Sequence, residues 1–188
     1  MTPAFHFKIL EQFIDDFDEQ TNIFVDKLKV YCDNGQAFDI APHVVLCALD
    51  IICVTSMGTK MNAQTNSDSA YCTAVRDLSH ILYDKMFNIF TANDLYFMMT
   101  KNYAVQKKSI QTLHEYTYRV IELRRRELEN KKNDNLDMNV NNDDVNDLGI
   151  KKKMPLLDVL LNVEIDGKPL TNDEIREEVD TFMFAVSI

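Results

Sequence analysis

At 188 residues with 46% hydrophobic side chains, the chain is long enough to build one core. With only four Gly and four Pro it is poor in turn formers, which points to long helices and few hairpins. A formal net charge of −10 argues against a nucleic-acid partner, because phosphate binding needs a basic face.

Phe7, Leu10, Phe13, Ile14, Phe17, Phe24, Leu28 and Tyr31 recur at helical spacing and predict an amphipathic helix that Asn34-Gly35 would end. A second helix is expected from about Pro42, which a first turn tolerates, to about Met57 before Gly58. It is apolar almost all round, so it should lie deep in a core. Asn66-Ser-Asp-Ser69 offers caps for a third helix, with Val75, Leu78, Ile81, Leu82, Met86 and Phe87 as its buried stripe. A short apolar patch, Leu95–Met99, precedes a long helix marked by Ile110, Leu113, Tyr116, Val120 and Leu123.

From Asn130 to Lys153, Asn, Asp and Lys dominate and apolar periodicity is lost, which predicts a disordered surface loop before the final helices. Leu156–Val163 forms a short helix, and Asp166-Gly167 a turn. The last helix opens with a capping box, Thr171 and Glu174, and carries Ile175, Val179, Phe182, Met183 and Val186 on one face. No Gly, Asn or Pro follows to end it, so the chain is expected to be part of a larger domain. The fold class is all-α, with residues 1–188 forming one partial domain.

Candidate chemistry is sparse. His6, His43, His80 and His114 show no grouping at metal-ligand spacing, so no metal site is expected. Neither a Gly-x-Gly-x-x-Gly nor a Gly-x-x-x-x-Gly-Lys occurs. Ser79-His80 and His114-Glu115 are helix neighbours that point in different directions and suggest no catalytic dyad. Cys32, Cys47, Cys53 and Cys72 form no Cys-x-x-Cys pair, and Cys47 and Cys53 sit in apolar sequence as expected of reduced buried thiols facing the cytosol. Arg124-Arg-Arg126, flanked by Glu122, Glu127 and Glu129, predicts a solvated helix face. The apolar run Val44–Val54 is broken by Asp50 and too short to span a bilayer. No catalytic residue follows from these patterns.

Three segments, in order, resemble the middle of a microsomal cytochrome P450 of the insect family 4 type. Thr2-Pro-Ala-Phe-His-Phe7 with Leu10-Glu-Gln-Phe13 is similar to the stretch leaving that family's helix C. Leu49-Asp-Ile-Ile-Cys-Val-Thr-Ser-Met-Gly58, with Thr59-Lys60 and Asn62-Ala-Gln64, is similar to its helix E. Ile175-Arg-Glu-Glu-Val-Asp-Thr-Phe-Met-Phe184 is similar to the first half of its helix I, and the intervening helices match F and G in order. The resemblance implies a haem cofactor and O2-dependent hydroxylation of an apolar small molecule, often a fatty acid. It also implies an NADPH-cytochrome reductase as partner and a place on the cytosolic face of the endoplasmic reticulum membrane, through an anchor upstream of Met1.

That family's axial cysteine lies in a Phe-x-x-Gly-x-Arg-x-Cys-x-Gly loop, and none of the four cysteines here has a Gly two residues later. The axial cysteine loop is absent, so no cofactor-binding residue is assigned, and the chain alone is expected to be inactive. Glu122-Leu-Arg-Arg125 satisfies a Glu-x-x-Arg pattern in the region of helix G, where it is a coincidence. Val54 replaces a common glutamate, and Ala185 stands where many members carry a haem-bonding glutamate. The resemblance implies that Thr181, Phe182 and Ala185 share one face toward the substrate pocket, with Met183 outward. The break after Phe184 is expected to reflect a truncated coding sequence rather than a diverged active site. The alternative is a non-catalytic helical module that binds lipid or a partner protein.

Overall fold

A computed structural model describes residues 11–32, 37–88, 93–137 (backbone alone for 131–137), 153–165 and 167–185. A 3-10 turn, Glu11–Phe13, leads into helix α1, Ile14–Cys32. Helix α2 covers Ala41–Ile52, with Pro in its first turn, and continues as a π-helical turn, Cys53–Met57. Helix α3 is Ala70–Phe87, α4 Asp94–Met98 and α5 Lys101–Asp137. Helix α6 is Leu156–Asn162, and strands β1 (Glu164–Ile165) and β2 (Lys168–Pro169) form an exposed antiparallel hairpin. Helix α7, Asn172–Ala185, closes the order. The architecture is all-α, as the sequence predicts. The expected stop at Asn34-Gly35 and most of the expected loop lie outside the described residues.

Side-chain chemistry fixes the helix starts. Ser69 caps α3 by accepting from the Cys72 amide at 3.2 Å. The capping box of α7 is formed from both sides: the Thr171 amide donates to Glu174 at 2.8 Å, and the Glu174 amide donates to Thr171 Oγ1 at 3.3 Å. These bonds hold the Glu174 carboxyl below its ordinary range.

The core joins α2 and its π turn (Leu49, Cys53, Met57), α3 (Tyr71, Cys72, Val75) and α5 (Val120, Ile121). Leu156, Leu157 and Leu160 of α6, with Ile175, Val179 and Met183 of α7, complete it. Burying each large aliphatic side chain contributes about 1.5–3 kcal/mol. Asp50, which interrupts the apolar run of α2, is buried and accepts from the Ala63 and Gln64 amides at 2.6 and 2.9 Å. A buried carboxylate is tolerable here because it holds the connection between α2 and α3 in place.

Several sequence expectations change once the helices pack. Only the C-terminal half of α2 is deep; Val44 is 46% exposed. The stripe of α3 ends at Leu82, leaving Met86 and Phe87 70% and 71% exposed. On α5 the buried face is carried by Ser109, Thr117, Val120 and Ile121, while Leu123 is exposed. The Thr117 hydroxyl joins the buried face by donating across to Asp180 Oδ1 of α7 at 2.6 Å, with Leu113 O of its own helix 3.1 Å away. Helix α5 also runs to Asp137, into the segment expected as loop.

Of the arginine run, Arg126 is solvated but Arg124 and Arg125 are not. Arg124 forms a bidentate pair with Asp158 of α6, at 2.6 and 2.8 Å, and Arg125 donates to Asn172 at 2.8 Å. This pairing raises the Arg124 pKa further, although burial opposes it. The basic run thus ties α5 to α6 and α7.

Candidate active-site wall and family membership

Helices α3, α5 and α7 line an open apolar cleft of about 300 Å³. Val75, Leu78, Ile81 and Leu82 line it from α3, Ile110 and Leu113 from α5, and Met183 and Phe184 from α7. Its α3 wall runs from Tyr71 to Lys85, about 21 Å at a helical rise of about 1.5 Å per residue. An elongated apolar slot of this size suits a chain-like or flat apolar molecule.

The polar lining is confined to Tyr71, Lys85, Gln106, His114 and Asp180. Lys85 is held by Asp94 at 3.0 Å and lies over the Phe97 ring. Burial pushes the Tyr71 phenol well up, so it stays protonated; its ring packs against Tyr116 at 4.6 Å. His114 and Asp180 belong to a network across the α5–α7 seam. Thr117 donates to Asp180 Oδ1 at 2.6 Å, and Arg176 Nη1 contacts His114 Nε2 at 2.8 Å. Arg176 also lies over the Tyr118 ring, and Tyr118 hydrogen-bonds Asp173.

Asp180 Oδ2 stands 3.6 Å from Arg176 and 3.7 Å from His114 and has no hydrogen-bond partner among the described residues. Burial raises the Asp180 pKa, while the Thr117 hydrogen bond and the neighbouring His114 and Arg176 side chains pull it back. Sequence reasoning missed this network. Adjacent residues such as His114 and Glu115 diverge on a helix, and only the crossing of α5 and α7 brings His114 to Asp180.

The residues expected to share a pocket face are placed differently from their neighbours. Thr181 is exposed and donates its hydroxyl to Glu177 O at 2.7 Å; Ala185 is exposed; Phe182 is half-buried against the core. Met183, expected to point outward, is buried at 2% exposure and lines the cavity with Asp180 and Phe184. The reason is register: Ile175, Val179 and Met183 follow a four-residue step that faces the core.

The resemblance implies a haem iron held by a thiolate, and the cysteines of this chain do not fit that role. Burial raises the pKa of Cys47, Cys53 and Cys72, keeping all three as thiols. Cys32 is exposed, with its sulfur 3.6 Å from Leu28 O. No group of three or more metal-ligating side chains occurs among the described residues. Nor is any helix among them long and apolar enough to cross a membrane.

Comparison with known proteins accounts for the helix order. Residues 1–187 match the family model described as Cytochrome P450. Cytochrome P450 4d10 of Drosophila mettleri is 45% identical over 185 residues, covering 98% of this chain and 34% of that protein. Cytochrome P450 4d8 of Drosophila melanogaster is 45% identical over 186 residues, covering 98% and 39%. Human Cytochrome P450 4V2 is 42% identical over 190 residues, covering 98% and 34%. The chain thus spans little more than a third of the length of these relatives. A continuous match across all its helices, with family 4 relatives at this identity, means that the chain belongs to the cytochrome P450 family.

Proposed function

We propose that this chain supplies the helical wall of the substrate pocket of a haem-thiolate monooxygenase that hydroxylates an apolar molecule, fatty acids included. The observation that carries the reading is the apolar cavity between α3, α5 and α7 in a chain of this family. Residues 1–188 act as one partial domain, and Thr181, Phe182 and Ala185, which do not line this cavity, border the reacting end of the substrate from another side of α7. The iron ligand lies outside this chain, because Cys47, Cys53 and Cys72 are buried thiols and none of the four cysteines stands in a Cys-x-Gly loop. Electrons come from NADPH through a reductase at the cytosolic face of the endoplasmic reticulum membrane. For the chain by itself, the same cavity favours non-catalytic binding of an apolar ligand.

The test has two parts. The purified 188-residue chain is expected to give no haem-thiolate band after reduction under carbon monoxide and no NADPH-dependent hydroxylation. Product formation by this chain would overturn the assignment of the iron ligand to another segment. In a sequence extended to the relatives' full length, Phe182→Ala is expected to shift product regiochemistry with the haem spectrum intact. Unchanged products at lower thermal stability would assign Phe182 to the core alone.

A further inference from the structure

At the seam between α5 and α7, one ring nitrogen stands between two rival partners. His114 Nε2 lies 2.8 Å from Arg176 Nη1 and 3.7 Å from Asp180 Oδ2, and the same Nη1 and Oδ2 are 3.6 Å apart. Arginine has five N–H donors and no acceptor, so the 2.8 Å contact is a hydrogen bond only while Nε2 keeps its lone pair. A protonated imidazole has donors at both nitrogens and cannot accept it. It also sets a second cation against the guanidinium. Asp180 Oδ2 is an acceptor within reach: it is buried and has no hydrogen-bond partner among the described residues, because Thr117 serves Oδ1. The arrangement thus satisfies the neutral ring and leaves unused the oxygen that a charged ring needs.

From this geometry we propose that a proton on His114 switches the tie across the seam: Arg176 holds the neutral ring, and Asp180 holds the imidazolium. The exchange closes the gap between Nε2 and Oδ2 from 3.7 Å to the roughly 2.8 Å of a charge-assisted hydrogen bond. Solvent protons reach the ring, whose side chain is 39% exposed, while Arg176 beside it is 14% exposed. The other groups facing the cluster leave the choice to these three residues. Glu177 Oε1, 3.4 Å from Arg176 Nη2, offers the released guanidinium a partner within α7. Tyr118 of α5 lies beneath Arg176 and donates to Asp173. Glu115, next to His114, accepts from Gln111 at 2.8 Å. From α3, Tyr71 is buried and protonated, and Lys85 is paired with Asp94 at 3.0 Å. Because His114 and Asp180 both line the cleft, the same proton adds one positive charge to its wall.

The experiment takes the 188-residue chain from about pH 8 to about pH 5, the range in which imidazole ordinarily changes charge. At the upper end the 15N spectrum of His114 is expected to show a bare Nε2 and a protonated Nδ1. On acidification the Arg176 guanidinium and Asp180 carboxyl signals should both move with the midpoint of the ring. Double-mutant cycles by urea unfolding, with His114→Phe, Arg176→Met and Asp180→Ala, read the partners directly. At the upper pH, His114 and Arg176 should be coupled by roughly fivefold in the unfolding equilibrium constant, and at the lower pH His114 and Asp180 by the same amount. A coupling pattern that stays the same at both pH values overturns the switch. So does an Nε2–H ring at the upper pH, or an Asp180 signal that ignores the ring's midpoint. The two spectroscopic readings use the unsubstituted chain, so they decide the question even if a variant fails to fold.

Discussion

Asp180 shows how one residue can serve contacts and still cost stability. Its carboxylate accepts from Thr117 and sits beside Arg176 and His114, yet burial leaves Oδ2 without a hydrogen bond and raises the pKa above the ordinary 3.8. An acid whose folded-state pKa is raised binds its proton more tightly when folded. Its contribution is fully present below the unfolded pKa and is lost as pH rises through the folded value. Asp180→Asn keeps an oxygen for the Thr117 hydroxyl and removes the titration. The Asn variant is therefore expected to gain stability relative to the parent as pH rises from about 3 to neutrality, measured by urea unfolding at a series of pH values. A stability difference independent of pH across that range would show that burial does not set this carboxyl.

Between elements, a close junction forms where the π turn ending α2 meets α5 and α6. Gly58 has φ 67°, and its amide and that of Thr59 donate to Val54 O and Cys53 O at 3.1 and 3.3 Å. A Cβ at Gly58 would stand 2.8 Å from Pro155 Cγ and 3.8 Å from the Arg124 guanidinium carbon. Proline's ring cannot swing aside, so the left-handed backbone and the clash add together. Gly58→Ala is expected to cost about 2 kcal/mol, read as a lowered urea midpoint with unchanged slope. The bidentate Arg124–Asp158 pair, beside the same glycine, fixes how α6 lies against α5. A stability unchanged by Gly58→Ala would mean that this junction is loose enough to rearrange.

For the whole molecule, the balance of exposed apolar surface matters most. Tyr83, Met86 and Phe87 at the end of α3, and Leu95, Met98 and Met99 around α4, are between 55% and 89% exposed. Clusters of large apolar side chains at a surface favour association. The isolated chain is expected to self-associate at micromolar concentration and to bind a hydrophobic dye. The triple variant Met86→Ser, Phe87→Ser, Met99→Ser should reduce both, measured by light scattering and dye fluorescence. A sharp cooperative unfolding transition from a monomer, with no dye binding, would count against it.

The sequence by itself determined the helix order, the capping box at Thr171, the cap at Ser69 and the family. All of these rest on local spacing or on residues contiguous in the chain. It could not determine which side of each helix is buried at its ends. Met86, Leu123 and Met183 all fit an apolar stripe, and only the position of the neighbouring helix sorts them into surface, surface and core. Nor could it reveal the cavity's polar wall. His114 and Asp180 are 66 residues apart in sequence, and Arg124 and Asp158 are 34 apart. A charge run looks solvated until its partner on another helix is known. Tertiary packing decided these cases because burial and pairing are properties of two surfaces, and a sequence pattern describes one.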